Sequence, residues 1–173
     1  MYAKLSNLVK LIALTQLLIG LTVTTPALGK IVMQPLEDMV SGADVIFIGN
    51  VLALENSDIT DKNLGPKYYA LLRIDKIVKG SLPASTVKVD YYTKYTGEPN
   101  FVVGETCLLF VERHKGGYHT YWGYGGKAVI KDGKVTDLFI IGEVEETLPT
   151  FINKIRAIMS IQKHQRKIPH LSK

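Results

Sequence analysis

His114 and His119 flank the Lys115-Gly116-Gly117-Tyr118 turn, so a hairpin at that point brings two imidazoles together, the beginning of a metal site. Two ligands do not hold a metal. A third would have to come from Glu112, His164 or elsewhere, and histidines beside an exposed turn are common without a ligand role, so neither a metal nor a cofactor is expected. No HExxH, no GxSxG and no nucleophile with a base at recognisable spacing occurs, so no catalytic residue is assigned and the chain reads as a non-enzyme. Gly123-Tyr124-Gly125-Gly126 has the composition of a phosphate loop, but a strand rather than a helix follows it, and it reads as a turn. Cys107, set among Val103, Leu108, Leu109 and Phe110, reads as a buried, inert thiol.

Aromatic side chains offer a different chemistry. Eight of the nine tyrosines and Trp122 fall between Tyr68 and Tyr124. Continued as one strand, Tyr118 to Tyr124 puts Tyr118, Thr120, Trp122 and Tyr124 on a single face, where rings can stack on sugars, on bases or against a partner protein. The commoner use of such rings is to pack a sheet, because Tyr and Trp favour strands.

The elements that must position these groups are mostly strands. The chain has 173 residues, a formal net charge of +5, 46% hydrophobic side chains, 15 Gly and 7 Pro, the profile of one ordinary globular domain. A single cysteine excludes a disulfide scaffold, a cysteine zinc cage and a CxxC redox pair. Residues 1–29 read as an export signal. Lys4 and Lys10 precede an apolar run from Leu11 to Val23, and Ala27-Leu28-Gly29 supplies the small side chains a signal peptidase accepts, which places Lys30 at the mature N-terminus. No cysteine follows the cleavage point, which argues against a lipid anchor. Membrane contact is then confined to the signal segment before cleavage.

Six Lys or Arg and no acid lie from Phe151 onward, so residues 30–150 carry a net charge of −3. That mildly acidic body argues against a nucleic-acid ligand.

Met33 to Ser41 predicts a short helix with Leu36, Met39 and Val40 on one side, and Gly42 stops it. Val45 to Leu54 predicts a strand covered on both faces, followed by a polar loop from Glu55 to Pro66. Tyr68, Ala70, Leu72 and Ile74 alternate, and Ile77 falls out of phase, so the strand either ends or carries a bulge near Asp75 and Lys76. Thr86 to Tyr92 alternates as a half-solvated strand, with Val87, Val89 and Tyr91 inward and Lys88, Asp90 and Tyr92 toward solvent. Gly104 to Val111 and Tyr118 to Tyr124 continue the pattern, and Asp132-Gly133 turns a small extra hairpin between Ala128 and Ile140. Leu148, Phe151, Ile152, Ile155, Ile158 and Met159 share one stripe of a C-terminal amphipathic helix that should pack on the strands.

The segments Ala43-Asp44-Val45-Ile46-Phe47-Ile48-Gly49-Asn50-Val51, Tyr69 to Ile77 ending in Lys79-Gly80, and Val103-Gly104-Glu105 ahead of Leu108-Leu109-Phe110 resemble the N-terminal domain of tissue inhibitors of metalloproteinases. The resemblance spans residues 42–120 and implies an OB-fold, a five-stranded Greek-key barrel. The expected fold is therefore mainly β: an OB-like barrel over residues 30–142, with the extra hairpin, and an amphipathic helix with a basic tail over residues 143–173. In that family the mature N-terminal residue, a cysteine, clamps the protease zinc; Lys30 stands there in this chain, with no second cysteine to tether it.

The function expected is that of an exported, non-enzymatic binding module for an extracytoplasmic protein, with Lys30, Tyr92, Tyr118, Trp122 and Tyr124 as its partner-binding residues. The alternatives are a metalloprotease inhibitor acting through Lys30, or a binder of oligosaccharide or single-stranded nucleic acid that stacks on Tyr92 and Trp122.

Overall fold

The computed structural model describes residues 34–92, 99–136 and 146–165. The expected export signal, Lys30, residues 137–140 of the extra hairpin and the basic tail beyond Gln165 lie outside them.

Helix α1 spans Leu36–Gly42, and its Leu36, Met39 and Val40 are buried, as their spacing predicts. Its C-terminal carbonyls, which no helical N–H can reach, are held by the Lys79 ammonium, which donates to Val40 O at 2.6 Å and Ala43 O at 2.5 Å. Strands follow: β1 (Val45–Asp61), β2 (Gly65–Lys79), β3 (Thr86–Tyr92), β4 (Thr106–His114), β5 (Gly117–Thr120), β6 (Lys127–Lys131), β7 (Lys134–Thr136) and β8 (Glu146–Thr147). Helix α2 runs Leu148–Gln165. Among the described residues no helix is long and apolar enough to cross a membrane.

The strands hydrogen-bond in the order β1-β2-β3-β5-β4, and β4 returns to β1, closing a ring of five. Every pairing in the ring is antiparallel except β3–β5, which is parallel. β6, β7 and β8 extend the sheet from the other side of β4.

Alternation along the ring strands produces two cores. Val45, Phe47, Val51, Leu72, Val89, Cys107, Leu109 and Val111 fill the inside of the ring. Ile46, Ile48, Leu108 and Phe110, on the opposite parity, face outward and are covered by α1 and by Phe151, Ile152 and Ile155 of α2. Val45–Val51 of β1 and Cys107–Val111 of β4 are buried on both faces and are nearly continuous apolar runs. The cover expected as far as Leu54 stops at Val51, because β4 pairs with β1 only to Asn50 and leaves Leu52 and Leu54 exposed.

Irregularities in β2 supply curvature. Phe47 pairs with Ile77 while Ile46 pairs with Lys79, and Gly49 pairs with Ile74 while Ile48 pairs with Lys76, so Val78 and Asp75 are the extra residues of two bulges. The phase break at Ile77 is thus a bulge and not a strand end.

Two expectations about strand bounds are corrected. Residues 55–61 are strand, not loop: Asn56 pairs with Tyr68 and Thr60 with Pro66, and the chain turns only at Lys62–Leu64. Asp61 Oδ1 caps that turn by accepting the N–H groups of Asn63 and Leu64 at 2.8 and 2.9 Å, and Gly65 leaves it at φ +82°. Cross-strand pairing there outweighs the weak strand preference of Asn, Ser and Asp. The second correction concerns Tyr118–Tyr124. β5 ends at Thr120; Trp122 and Gly123 take positive φ of 65° and 54°, and Gly123–Gly126 forms one 3-10 turn. Strand geometry is impossible at a positive φ, so alternation stops.

Cys107 is fully buried inside the ring, and burial pushes its thiol up to about 12. We expect it to resist a thiol-specific reagent at pH 8 in the native chain and to react within the mixing time once the chain is unfolded in denaturant, a contrast that a colorimetric thiol assay reads.

Candidate functional site

β3 and β5 lie side by side in parallel, with Asp90 directly beside His119, and the β4–β5 hairpin carries His114 at the far end of β4. These three residues have the parity that points away from the ring interior, as do Lys67 and Tyr69 of β2 and Lys88 and Tyr92 of β3. They converge on one carboxylate. Asp90 Oδ1 accepts from His119 Nδ1 at 2.8 Å and lies 3.1 Å from His114 Nε2, while Oδ2 holds the Lys67 ammonium and lies 3.0 Å from the same His114 nitrogen. The other His114 nitrogen, Nδ1, is 3.1 Å from the Lys115 carbonyl oxygen.

The cluster sits beneath its own partners. The Asp90 side chain is 4% exposed and that of Lys67 12%, against 22% for His119 and 35% for His114. Burial by itself would raise the Asp90 carboxyl, but hydrogen bonds from His119, Lys67 and His114 outweigh it and lower the group from 3.8 to about 2. Lys67 moves the opposite way: burial opposes its charge, and the bond to Asp90 and that residue's negative charge raise it. The two shifts agree that the pair is ionised. Around this centre, Tyr69 has the Lys67 and Lys88 ammonium groups 5.4 and 5.9 Å from its ring centre, and Lys88 bonds Glu55 at 2.6 Å.

The hairpin does bring His114 and His119 together, with ring centres 6.1 Å apart. The third group is neither of the two named from the sequence. Glu112 lies opposite His119 in the ladder, but the three atoms that approach one another within 4.8 Å belong to Asp90, His114 and His119. His164 is on α2, where its Nδ1 contacts the Ser160 carbonyl. Asp90 also corrects the alternation argument, since its face of β3 is not open to water at that position. A lone acid inside a strand whose neighbours on that face are Lys and Tyr was the available signal; what it paired with lay on three other strands.

The expected aromatic face does not form as drawn. Tyr92 ends β3, half-buried, on the same face as Asp90. Tyr118 has inward parity and packs against the core inside the ring, under the Arg113 guanidinium at 5.9 Å. Trp122 is 48% exposed in the turn after β5, and Tyr124 lies in the 3-10 turn that follows. Lys30 lies outside the described residues.

Beyond the ring, β1 and β2 continue as a two-stranded arm. β4 pairs with β1 only over Val45–Asn50, and Val51 exchanges backbone bonds with Gly104 and Glu105. Along the arm Leu52, Leu54 and Ile59 are 41%, 41% and 54% exposed. No family model matches this chain, and no curated protein matches it in sequence.

Proposed function

We propose that the chain is an exported, non-enzymatic binding module of the OB-fold type, resembling the N-terminal domain of tissue inhibitors of metalloproteinases, and that it recognises an extracytoplasmic protein. The ring order β1-β2-β3-β5-β4 with a parallel β3–β5 contact is the order of a five-stranded Greek-key barrel, which supports the finer fold reading. In barrels of this type ligands use the outer surface of strands 2 and 3 and the loops joining strands 1–2 and 4–5. Lys67, Tyr69, Lys88 and Tyr92 occupy that surface here, and His114 and His119 flank the 4–5 loop.

The observation that carries the choice of a protein partner is the arm. Leu52, Leu54 and Ile59 expose apolar side chains along the arm, Leu54 in register with Ala70 and so on the opposite face of the ladder from Tyr69. A protein can engage apolar area and amphipathic rings spread over both faces of such an arm, which suits it better than a sugar or a base. The 1–2 loop is the tip of that same arm.

A photoreactive side chain at position 92 tests this. With the extracytoplasmic fraction of the source cells, it should give one discrete adduct, absent when the probe is at Ile161 on the far helix. Tyr69→Ala, removing a ring in the middle of the face, should weaken capture at least about tenfold, since interface tyrosines are among the residues whose truncation matters most. Equal adducts from positions 92 and 161, or none from either, would overturn the reading.

A further inference from the structure

We propose that Asp90, His114 and His119 form a binding site for a borderline first-row divalent cation of the zinc class, with Asp90 Oδ1, His114 Nε2 and His119 Nδ1 as ligands. Two imidazoles and one carboxylate are the donor set such ions favour over calcium or magnesium, which take mainly oxygen.

The geometry is close to that of a loaded site. His119 Nδ1 lies 2.8 Å from Oδ1, and His114 Nε2 straddles the carboxylate, 3.1 Å from Oδ1 and 3.0 Å from Oδ2. Ligands about 2.0–2.2 Å from a tetrahedral metal lie roughly 3.3 Å from each other, so the two contacts to Oδ1 need open by only a few tenths of an ångström. All three ligand atoms already lie within 4.8 Å of one another, and rotation of the two partly exposed imidazoles brings the nitrogens to the distance a shared ion requires.

Outer partners for two of the ligands, His114 and Asp90, are in place as well. A metal-bound histidine typically donates its second N–H to a carboxylate or a backbone carbonyl, which fixes its tautomer. His114 Nδ1 is 3.1 Å from the Lys115 carbonyl oxygen, which can keep the ring proton on Nδ1 when the ion takes Nε2 from its hydrogen bond with Asp90. Ligating carboxylates are themselves hydrogen-bonded, and Lys67 holds Asp90 Oδ2 on the side away from the shared oxygen. The Lys67 charge opposes a dication at close range, which sets the expected affinity in the micromolar range and not below it. Three ligands from three strands leave a fourth position for water, at the rim of the 4–5 loop.

The backbone supports the same conclusion. The Asp90–His119 neighbour relation is fixed by the parallel β3–β5 ladder, and His114 is fixed by the register of the β4–β5 hairpin, so no loop has to be ordered to assemble the ligands.

Titration of the purified chain, carrying no histidine tag, with Zn2+ in a calorimeter and with Co2+ by visible absorption tests the site. One ion per chain, the visible bands of four-coordinate Co2+ and at least about a thirtyfold loss in each of His114→Gln and His119→Gln are the expected results. Circular dichroism establishes that each variant is folded; both side chains are partly exposed, and where one variant does not fold the other decides. Protons compete for the ring nitrogens, so affinity falls on acidification. Absence of Zn2+ heat, binding unchanged in both variants, or equal binding of Ca2+ or Mg2+ would each overturn the proposal. Cation binding by the isolated chain needs no partner, so a failed capture at position 92 leaves it untouched.

Discussion

Asp90→Ala should lower the stability of the chain by about 3 kcal/mol at pH 7, the lower end of what is seen when one member of a buried ionic cluster is removed. The mechanism is not loss of attraction alone. Without the carboxylate, Lys67 keeps a charge in a site 12% exposed, and His114 and His119 lose the acceptor they share. Their remaining access to water is what keeps the figure at the lower end. For a chain of this length such a loss lowers the melting temperature by roughly 10 °C. The same carboxylate makes the wild type acid-sensitive, with a definite sign. Its folded value, about 2, is below the 3.8 of a free carboxyl of this type, so the contribution is fully present above pH 4 and is lost as the pH falls toward 2. That loss is of order 2 kcal/mol. Urea denaturation at intervals between pH 2 and 7 should show it in the wild type and not in Asp90→Ala.

Phe47→Ala should be more damaging still. Phe47 is fully buried inside the ring, and its ring lies against Gly49, whose lack of a side chain leaves the space the aromatic group fills. Truncation opens a cavity that β1, paired on both sides at this point, cannot collapse to fill. Phenylalanine-to-alanine changes at such positions remove about 3–5 kcal/mol. The comparison is Ile77, which pairs with Phe47 in the β1–β2 ladder but is 39% exposed; Ile77→Ala should change stability by less than about 1 kcal/mol. Equilibrium unfolding of the two variants side by side separates burial inside the ring from position in the ladder.

Much of this architecture was readable where a local signal and the tertiary context agree. The alternation of Thr86 to Val89 marks a strand, and the expected bounds, Thr86–Tyr92, match it, although Asp90 is buried. Asp132 and Gly133 both take positive φ, as a two-residue hairpin turn of the mirror-image type requires. The α2 stripe of Phe151, Ile152 and Ile155 is buried because the outer face of β1 and β4 is itself apolar and must be covered. Reading failed where a distant partner decides the outcome. Nothing near Asn56, Ser57 and Asp58 announces that Pro66–Tyr68 will pair with that stretch. Tyr121 looks like a strand residue, yet its N–H is taken by Phe110 O and the chain then leaves the sheet through positive φ at Trp122. The site followed the same division. The two histidines were visible because a hairpin is local, and Asp90 was not, because β3 meets β5 only through the closure of the whole ring.

That closure bears on how the chain finds its native state. The β1–β2 and β4–β5 hairpins join neighbours in sequence and can form in microseconds, whereas the seam between β1 and β4 unites residues such as Val45 and Val111, far apart along the polypeptide. Loop-closure entropy must be overcome before that seam returns anything, which puts the molecule among the slow, high-contact-order folders, on a scale of milliseconds to seconds. Until the seam zips, the apolar residues of β1 and β4 are without cover on either face, and this interval is the one in which a newly made chain is most exposed to aggregation.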